Sequence, residues 1–192
     1  MRRLLLLSLL LAIGWNVYAQ TPCNVPVDTI DEFDSTRIVI YEPINIGYLV
    51  PSNYQTPEGP KMIEEGKLSF TFTQNDSINS FFLTLAVPEW EYHTVDKDFS
   101  VLLKLSNEKI VGLFNVPDRG KFDESTNMRI YHHTSVVPLD VFYSLTFHTL
   151  EKIRIRYRGY NRTIKISDEQ AEEIQQAVQC IGARVNLYPI KP

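Results

Sequence analysis

The chain carries little that announces chemistry. Its 192 residues include two cysteines, and no GxSxG, HExxH, Gly-rich phosphate loop or CxxC occurs anywhere. Without them no reaction class can be named from a motif. An enzyme of some other kind is not excluded, but no catalytic residue can be named. Positive charge is also short: the formal net charge is −4, which gives no support for nucleic acid as a partner. No internal repeat or low-complexity segment stands out, and at 44% hydrophobic residues disorder is not the default. Beyond the first twenty residues no stretch approaches the ~20 apolar residues that a bilayer span needs.

The one long apolar run sits at the N-terminus. Met1-Arg2-Arg3 is a short basic region, Leu4 to Ile13 an apolar core, and Val17-Tyr18-Ala19 supplies small residues at a cut before Gln20. This is the pattern of a secretory signal peptide over 1–19, and it places the protein in the periplasm, on the cell surface or outside the cell. Gly14 and Asn16 break the run too early for an anchor. Lipoproteins of Gram-negative bacteria carry a Leu-Ala/Ser-Gly/Ala-Cys box, and Gln20-Thr21-Pro22 before Cys23 departs from it at every position. The remaining chain suits one domain with a sizeable core.

Export bears on the cysteines. Cys23 and Cys180 lie near opposite ends of the mature chain, and an oxidising compartment favours a bridge between them. Helical periodicity points the same way. Ala171, Ile174, Ala177, Val178 and Ile181 share one face, whereas Cys180 falls on the side of Glu169, Glu172 and Glu173. A thiol on the polar side is better explained by a partner than by core packing.

Residues 151–181 are the clearest part of the chain. Ile153, Ile155 and Tyr157 alternate with Lys152, Arg154, Arg156 and Arg158, a period of two with one buried and one basic face. A turn at Gly159–Asn161 leads to a second strand. Ser167 and Gln170 then form a capping box, with Asp168 and Glu169 at the positive end of the helix and Gly182 as its stop.

Upstream the pattern is mostly strand. Residues 20–35, with two prolines and four carboxylates, read as an irregular lead-in; they lack the central Gly and closing Glu of a calcium loop. Runs at 37–41, 44–50, 67–73, 78–87, 99–105, 109–114 and 128–137 are β-branched, aromatic or alternating, with 51–60, 88–98 and 115–124 as loops. Pro138 to Leu150 predicts a short helix from its Pro start and early Asp140. The expected architecture is α+β: a mostly antiparallel sheet of about eight strands packed by the C-terminal amphipathic helix. It spans 36–183, with 184–192 as an extended tail.

Two regions could bind something. If the turn pairs the last two strands, Arg154, Arg156 and Arg158 share a surface with Lys165, suited to an anionic glycan, a lipid head group or another envelope protein. A wet sheet face whose arginine stems cover apolar surface is the plainer account. The loop 88–98 places Trp90, Tyr92 and His93 among Glu89, Glu91, Asp96 and Asp98, where rings could stack on a sugar and carboxylates could bond it. His132-His133 cannot easily share one metal, because strand neighbours point to opposite faces. No metal or cofactor is implied.

The C-terminal pattern, LEKIRIRY, a turn, TIKIS and a capped helix ending in QCI, resembles a group of small, uncharacterised exported proteins of gut and oral Gram-negative anaerobes. The resemblance covers residues 98–182 and rests on hydrophobic pattern. It implies a periplasmic or surface protein and carries no site residue. The reading is a non-catalytic exported binding or structural protein that contacts an anionic or sugar ligand through the basic hairpin face. The alternative is a hydrolase of envelope or dietary polymer that uses the carboxylates around Glu89–Asp98.

Overall fold

The computed structural model describes residues 23–76 and 78–187; the expected signal peptide, Ser77 and residues 188–192 of the tail lie outside them. The fold is α+β and mostly antiparallel. Among the described residues eleven strands are present where about eight were expected: β1 (Val27–Ile30), β2 (Arg37–Ile40), β3 (Ile44–Thr56), β4 (Gly59–Asn75), β5 (Ile78–Glu89), β6 (Asp98–Leu105), β7 (Ile110–Asn115), β8 (Lys121–Asp123), β9 (Met128–Val137), β10 (Leu150–Tyr157) and β11 (Tyr160–Lys165). Two helices follow β9 and β11: α1 (Leu139–Phe147) and α2 (Asp168–Arg184).

The surplus strands arise where turn chemistry hid them. Val27–Ile30, expected as irregular lead-in, pairs antiparallel with β2. The carboxylates between them shape the turn: Asp31 accepts from the Phe33 N–H at 2.8 Å and Asp34 from the Thr36 N–H at 2.9 Å. The expected loop 51–60 is the far half of a long β3–β4 hairpin, in which Pro51 pairs with Met62 and Gln55 with Pro60. β3 bonds a neighbour on one side alone, so a proline there costs no ladder bond on the other.

One continuous path runs β1-β2-β4-β5-β9-β7-β6-β10-β11, with β3 on β4 and β8 on β9. The sheet curls until β11 faces β3 and β4 without bonding to them. Ile164 of β11 lies against Gly47 and Gly66 at this seam. A Cβ on Gly47 would stand 2.3 Å from Glu65 Oε2 and 2.9 Å from Ile164 Cγ2, and its φ of +77° also suits glycine alone.

α2 closes the seam. Ser167 Oγ accepts from the Gln170 N–H at 3.2 Å, while Gln170 Oε1 accepts from the Ser167 N–H at 3.1 Å. The same Gln170 amide bonds Gly47 through both backbone groups, donating to its carbonyl at 2.9 Å and accepting from its N–H at 3.2 Å. The capping residue thus serves as an extra strand partner for β3. Ile174, Ala177, Val178 and Ile181 face inward and join Ile153 and Ile155 of β10 in the core. Burying each large side chain contributes about 1.5–3 kcal/mol, and this packing holds a helix that would be marginal alone. α1 covers the same core beside α2, whose Gln179 donates to the Thr146 carbonyl at 3.0 Å, and Phe142 stacks on Phe81 of β5 at 3.9 Å.

The helix passes Gly182, the expected stop, and ends at Arg184. Leu187 then folds back, its N–H bonding the Gly182 carbonyl at 2.8 Å. Val185 and Leu187, expected as free tail, are partly buried against the core. Cys23 and Cys180 stand at disulfide distance with their Cα atoms 5.5 Å apart. Asp28 reinforces that junction by pairing with Arg37 at 2.9 Å and Arg184 at 2.6 Å. No helix among the described residues is long and apolar enough to cross a membrane.

Candidate functional site

The curled sheet brings charged side chains inside at one place. Along β5 the inward phase runs Phe81, Leu83, Leu85, Val87 and then Glu89, which is only 3% exposed. Along β11 it runs Ile164 and then Arg162, opposite Ile155 of β10. Two apolar phases thus end in opposite charges, and the curl makes them meet. Arg162 bonds Glu89 Oε2 at 3.4 Å and Glu65 Oε1 at 3.2 Å, so its guanidinium spans the seam from β11 to β4 and β5.

A polar chain leads inward from Glu89. Tyr157 bonds His133 Nε2 at 3.0 Å, and His133 Nδ1 meets Asn115 Nδ2 at 3.0 Å. With the Asn115 amide donating, His133 carries its hydrogen on Nε2 and gives it to the Tyr157 oxygen. The Tyr157 hydroxyl in turn lies near the Glu89 charge. Burial, then the Glu89 charge, pushes the Tyr157 phenol far above its ordinary value. Burial likewise raises Glu89 against the opposing pull of Arg162. His133 is lowered to about 4, again chiefly by burial, and stays neutral at physiological pH.

The sign of the resulting pH dependence can be stated. A base whose folded value lies below its unfolded 6.5 contributes stability that is complete above that value. It is lost as pH falls toward 4, by about 3 kcal/mol for a shift of this size. Glu89, shifted upward, works in the opposite sense and offsets part of this. Asp28, held at about 2 by Arg37, contributes its full stabilisation above the unfolded 3.8 and loses it only as pH falls from there toward 2, below the window considered. Urea midpoints measured between pH 6.5 and 4 should therefore fall in the wild type and fall less in His133→Gln. Parallel profiles for the two proteins would disprove the assignment.

Outward from Glu89 the chain opens into a cleft of about 340 Å³, lined by Glu89, Trp90, Glu91, His93, Tyr160 and Arg162. The His93 ring stacks on Tyr160 at 4.7 Å, and its Nε2 lies 3.9 Å from Glu89 Oε2. Trp90 is 58% exposed while its Nε1–H holds the Pro51 carbonyl at 3.2 Å. The loop bearing these groups is fastened on both sides. Tyr131 takes the His93 N–H at 2.7 Å and donates to the His93 carbonyl at 2.9 Å. On the other side the Arg158 N–H bonds the Thr94 carbonyl at 3.0 Å, and its guanidinium pairs with Asp96. Val95 anchors the middle of the loop in the core.

The residues expected to bind are thereby divided. Trp90 lines the cleft; Tyr92 lies outside it, with the Arg129 guanidinium 5.6 Å over its ring. On the opposite surface of β10 and β11 the register sets Lys152 beside Lys165, Arg154 beside Thr163 and Arg156 beside Asn161. Arg154, Arg156 and Lys165 share that outer face, while Arg158 leaves it at the turn for Asp96. Arg162, Tyr160 and Glu65 were not expected at a site. The available signal for Arg162 was a charge in phase with Ile164. His132 is exposed and His133 buried, on opposite faces of β9. No protein-family model, curated protein or solved structure matches this chain, so the cleft is interpreted from its own geometry.

Proposed function

We propose that the chain is an exported, non-catalytic binding protein and that its cleft takes a neutral or amino sugar. One observation carries this: an exposed indole beside a second aromatic face, over a fixed floor of carboxylate and guanidinium. Aromatic faces cover the C–H side of a sugar ring, and charged groups bond its hydroxyls. Carboxylates outnumber guanidinium here, since Glu65, Glu89 and Glu91 surround Arg162. A uronic or sulfated sugar would meet repulsion. The loop's attachment to β9 and β10 means that little ordering cost attends binding.

A hydrolase of polymeric substrate is the second reading, favoured by the raised proton affinity of Glu89 beside the cleft. Accessibility argues against it. Glu89 is 3% exposed, with Oε2 engaged by Arg162 and Oε1 shielded from solvent. The more accessible Glu91 lacks any side-chain bond, among the described residues, that would fix it as a partner. An acid catalyst must reach the bond it protonates.

Trp90 is the one tryptophan after residue 19, so intrinsic fluorescence reports directly on the cleft. Titration with neutral and amino-sugar oligomers should change that signal, and a uronic-acid oligomer should not. Trp90→Ala, followed by calorimetry, should weaken binding about tenfold, the effect of losing one stacking face. Silence toward all three probes would reject the sugar reading, and turnover of a chromogenic glycoside abolished by Glu89→Gln would replace it with the hydrolase.

A further inference from the structure

The outer face of the sheet across β11, β10, β6 and β7 is divided into two halves. Register aligns Lys165, Lys152, Lys104 and Ile110 in one row, and Thr163, Arg154, Leu102 and Gly112 in the next. Arg156 extends the basic half, while Phe99 and Phe114 meet edge-on at 5.6 Å in the apolar half. Ile110 is 65% exposed, Phe99 56% and Phe114 38%. Gly112 leaves the trough between Leu102 and Phe99 open, since a Cβ there would stand 3.4–3.5 Å from both.

Most of the charge on the basic half lacks an ion-pair partner. Lys104 is balanced by Glu108 at 2.8 Å and Glu151 at 3.0 Å. Among the described residues no carboxylate pairs with Lys152, Arg154, Arg156 or Lys165, although the chain as a whole is acidic at −4. Arg154 spends its Nε–H on Thr163 Oγ1 at 3.0 Å, which aims the guanidinium and leaves its two terminal nitrogens available. These groups border a groove of about 240 Å³ lined by Leu102, Lys104, Ile110, Lys152, Arg154 and Thr163.

We infer that this face docks on an anionic phospholipid bilayer, with a head-group phosphate in the groove and Ile110, Phe99 and Phe114 against the acyl boundary. The groove suits a phosphate and its glycerol in volume. Cations contribute attraction to an anionic leaflet, and adjoining aromatic and aliphatic side chains favour its interface. A soluble anionic glycan would satisfy the cations but leave the three large apolar side chains in water. Four like charges packed beside exposed phenylalanines make physical sense where both halves are used together. The face lies on the other side of β10 and β11 from the cleft, and the inference does not depend on the sugar reading.

Flotation with vesicles of phosphatidylcholine, alone or with about 30% phosphatidylglycerol, tests it. The protein should float with the mixed vesicles and at least tenfold less with the neutral ones. Arg154→Ala/Arg156→Ala should lose roughly thirtyfold, at about fivefold per charge. Phe99→Ser/Phe114→Ser should also lose affinity, while Trp90→Ala should float as the wild type does. The exposed Lys165→Glu repeats the charge test with a single substitution, should the paired variants fold poorly. No flotation, or equal flotation with both vesicles, overturns the inference. So does full retention by the phenylalanine variant, which would reassign the face to a soluble polyanion such as heparin.

Discussion

Arg162→Met is expected to lower the free energy of unfolding by roughly 3–5 kcal/mol, the range for removing one partner of a buried ion pair. The cause lies in what remains. Glu89 keeps one oxygen shielded and loses the cation facing the other, and Glu65 loses its partner across the seam. No backbone ladder joins β11 to β3 or β4, so Arg162, Ile164 and Gln170 hold that edge by side chains alone. Hydrogen exchange should accordingly speed up along β11 and the adjoining β3 before it does in β5 or β9. Adding Glu89→Gln to Arg162→Met should recover part of the loss, because the orphaned charge is what costs. A single variant within 1 kcal/mol of wild type by urea unfolding would show that the seam does not depend on this ion pair.

Reduction of Cys23–Cys180, or Cys23→Ser/Cys180→Ser, is expected to cost up to about 5 kcal/mol, since the bridge closes a loop spanning a sequence separation of 157. In the chain-entropy account that loss acts through the unfolded ensemble. The native junction should survive, for Asp28 still links Arg37 of β2 to Arg184 of α2. The expected signature is a lower urea midpoint with an unchanged near-UV spectrum under native conditions. If reduction left the midpoint in place, the bridge would add nothing to stability.

The parts of this fold that could be foreseen are those where one physical signal acted alone. The core half of β4, β9 and β10 alternate because one side faces core throughout, and α2 announces itself through its capping box. β1 and the far half of the β3–β4 hairpin were hidden because aspartate and proline, which usually mark irregular chain, here shape a turn and occupy an unpaired edge. β8, three residues on the rim of β9, is too short to show any period.

The site was only half visible for a related reason. Glu89 and Trp90 were in view as a dense loop, but Glu89 belongs to the end of a strand, and what matters is its inward phase. Arg162 stood outside the basic face read as Arg154, Arg156, Arg158 and Lys165. Its opposition to Ile155 turns it to the other surface, and only the curl of the sheet supplies the carboxylates that receive it. Sequence distance carries no trace of that meeting.

The cross-link between the ends has a consequence for how the molecule fails. Residues 23 to 180 form a covalent ring in which the strands and the helices α1 and α2 are links. One peptide-bond cut at an exposed turn, such as Pro57–Glu58 or Arg158–Gly159, linearises the ring without releasing any piece of it. The two new ends stay within reach of each other, and the fold can re-form around the break. Losing a segment takes a second cut. Durability against proteases then depends less on resisting the first nick than on surviving it.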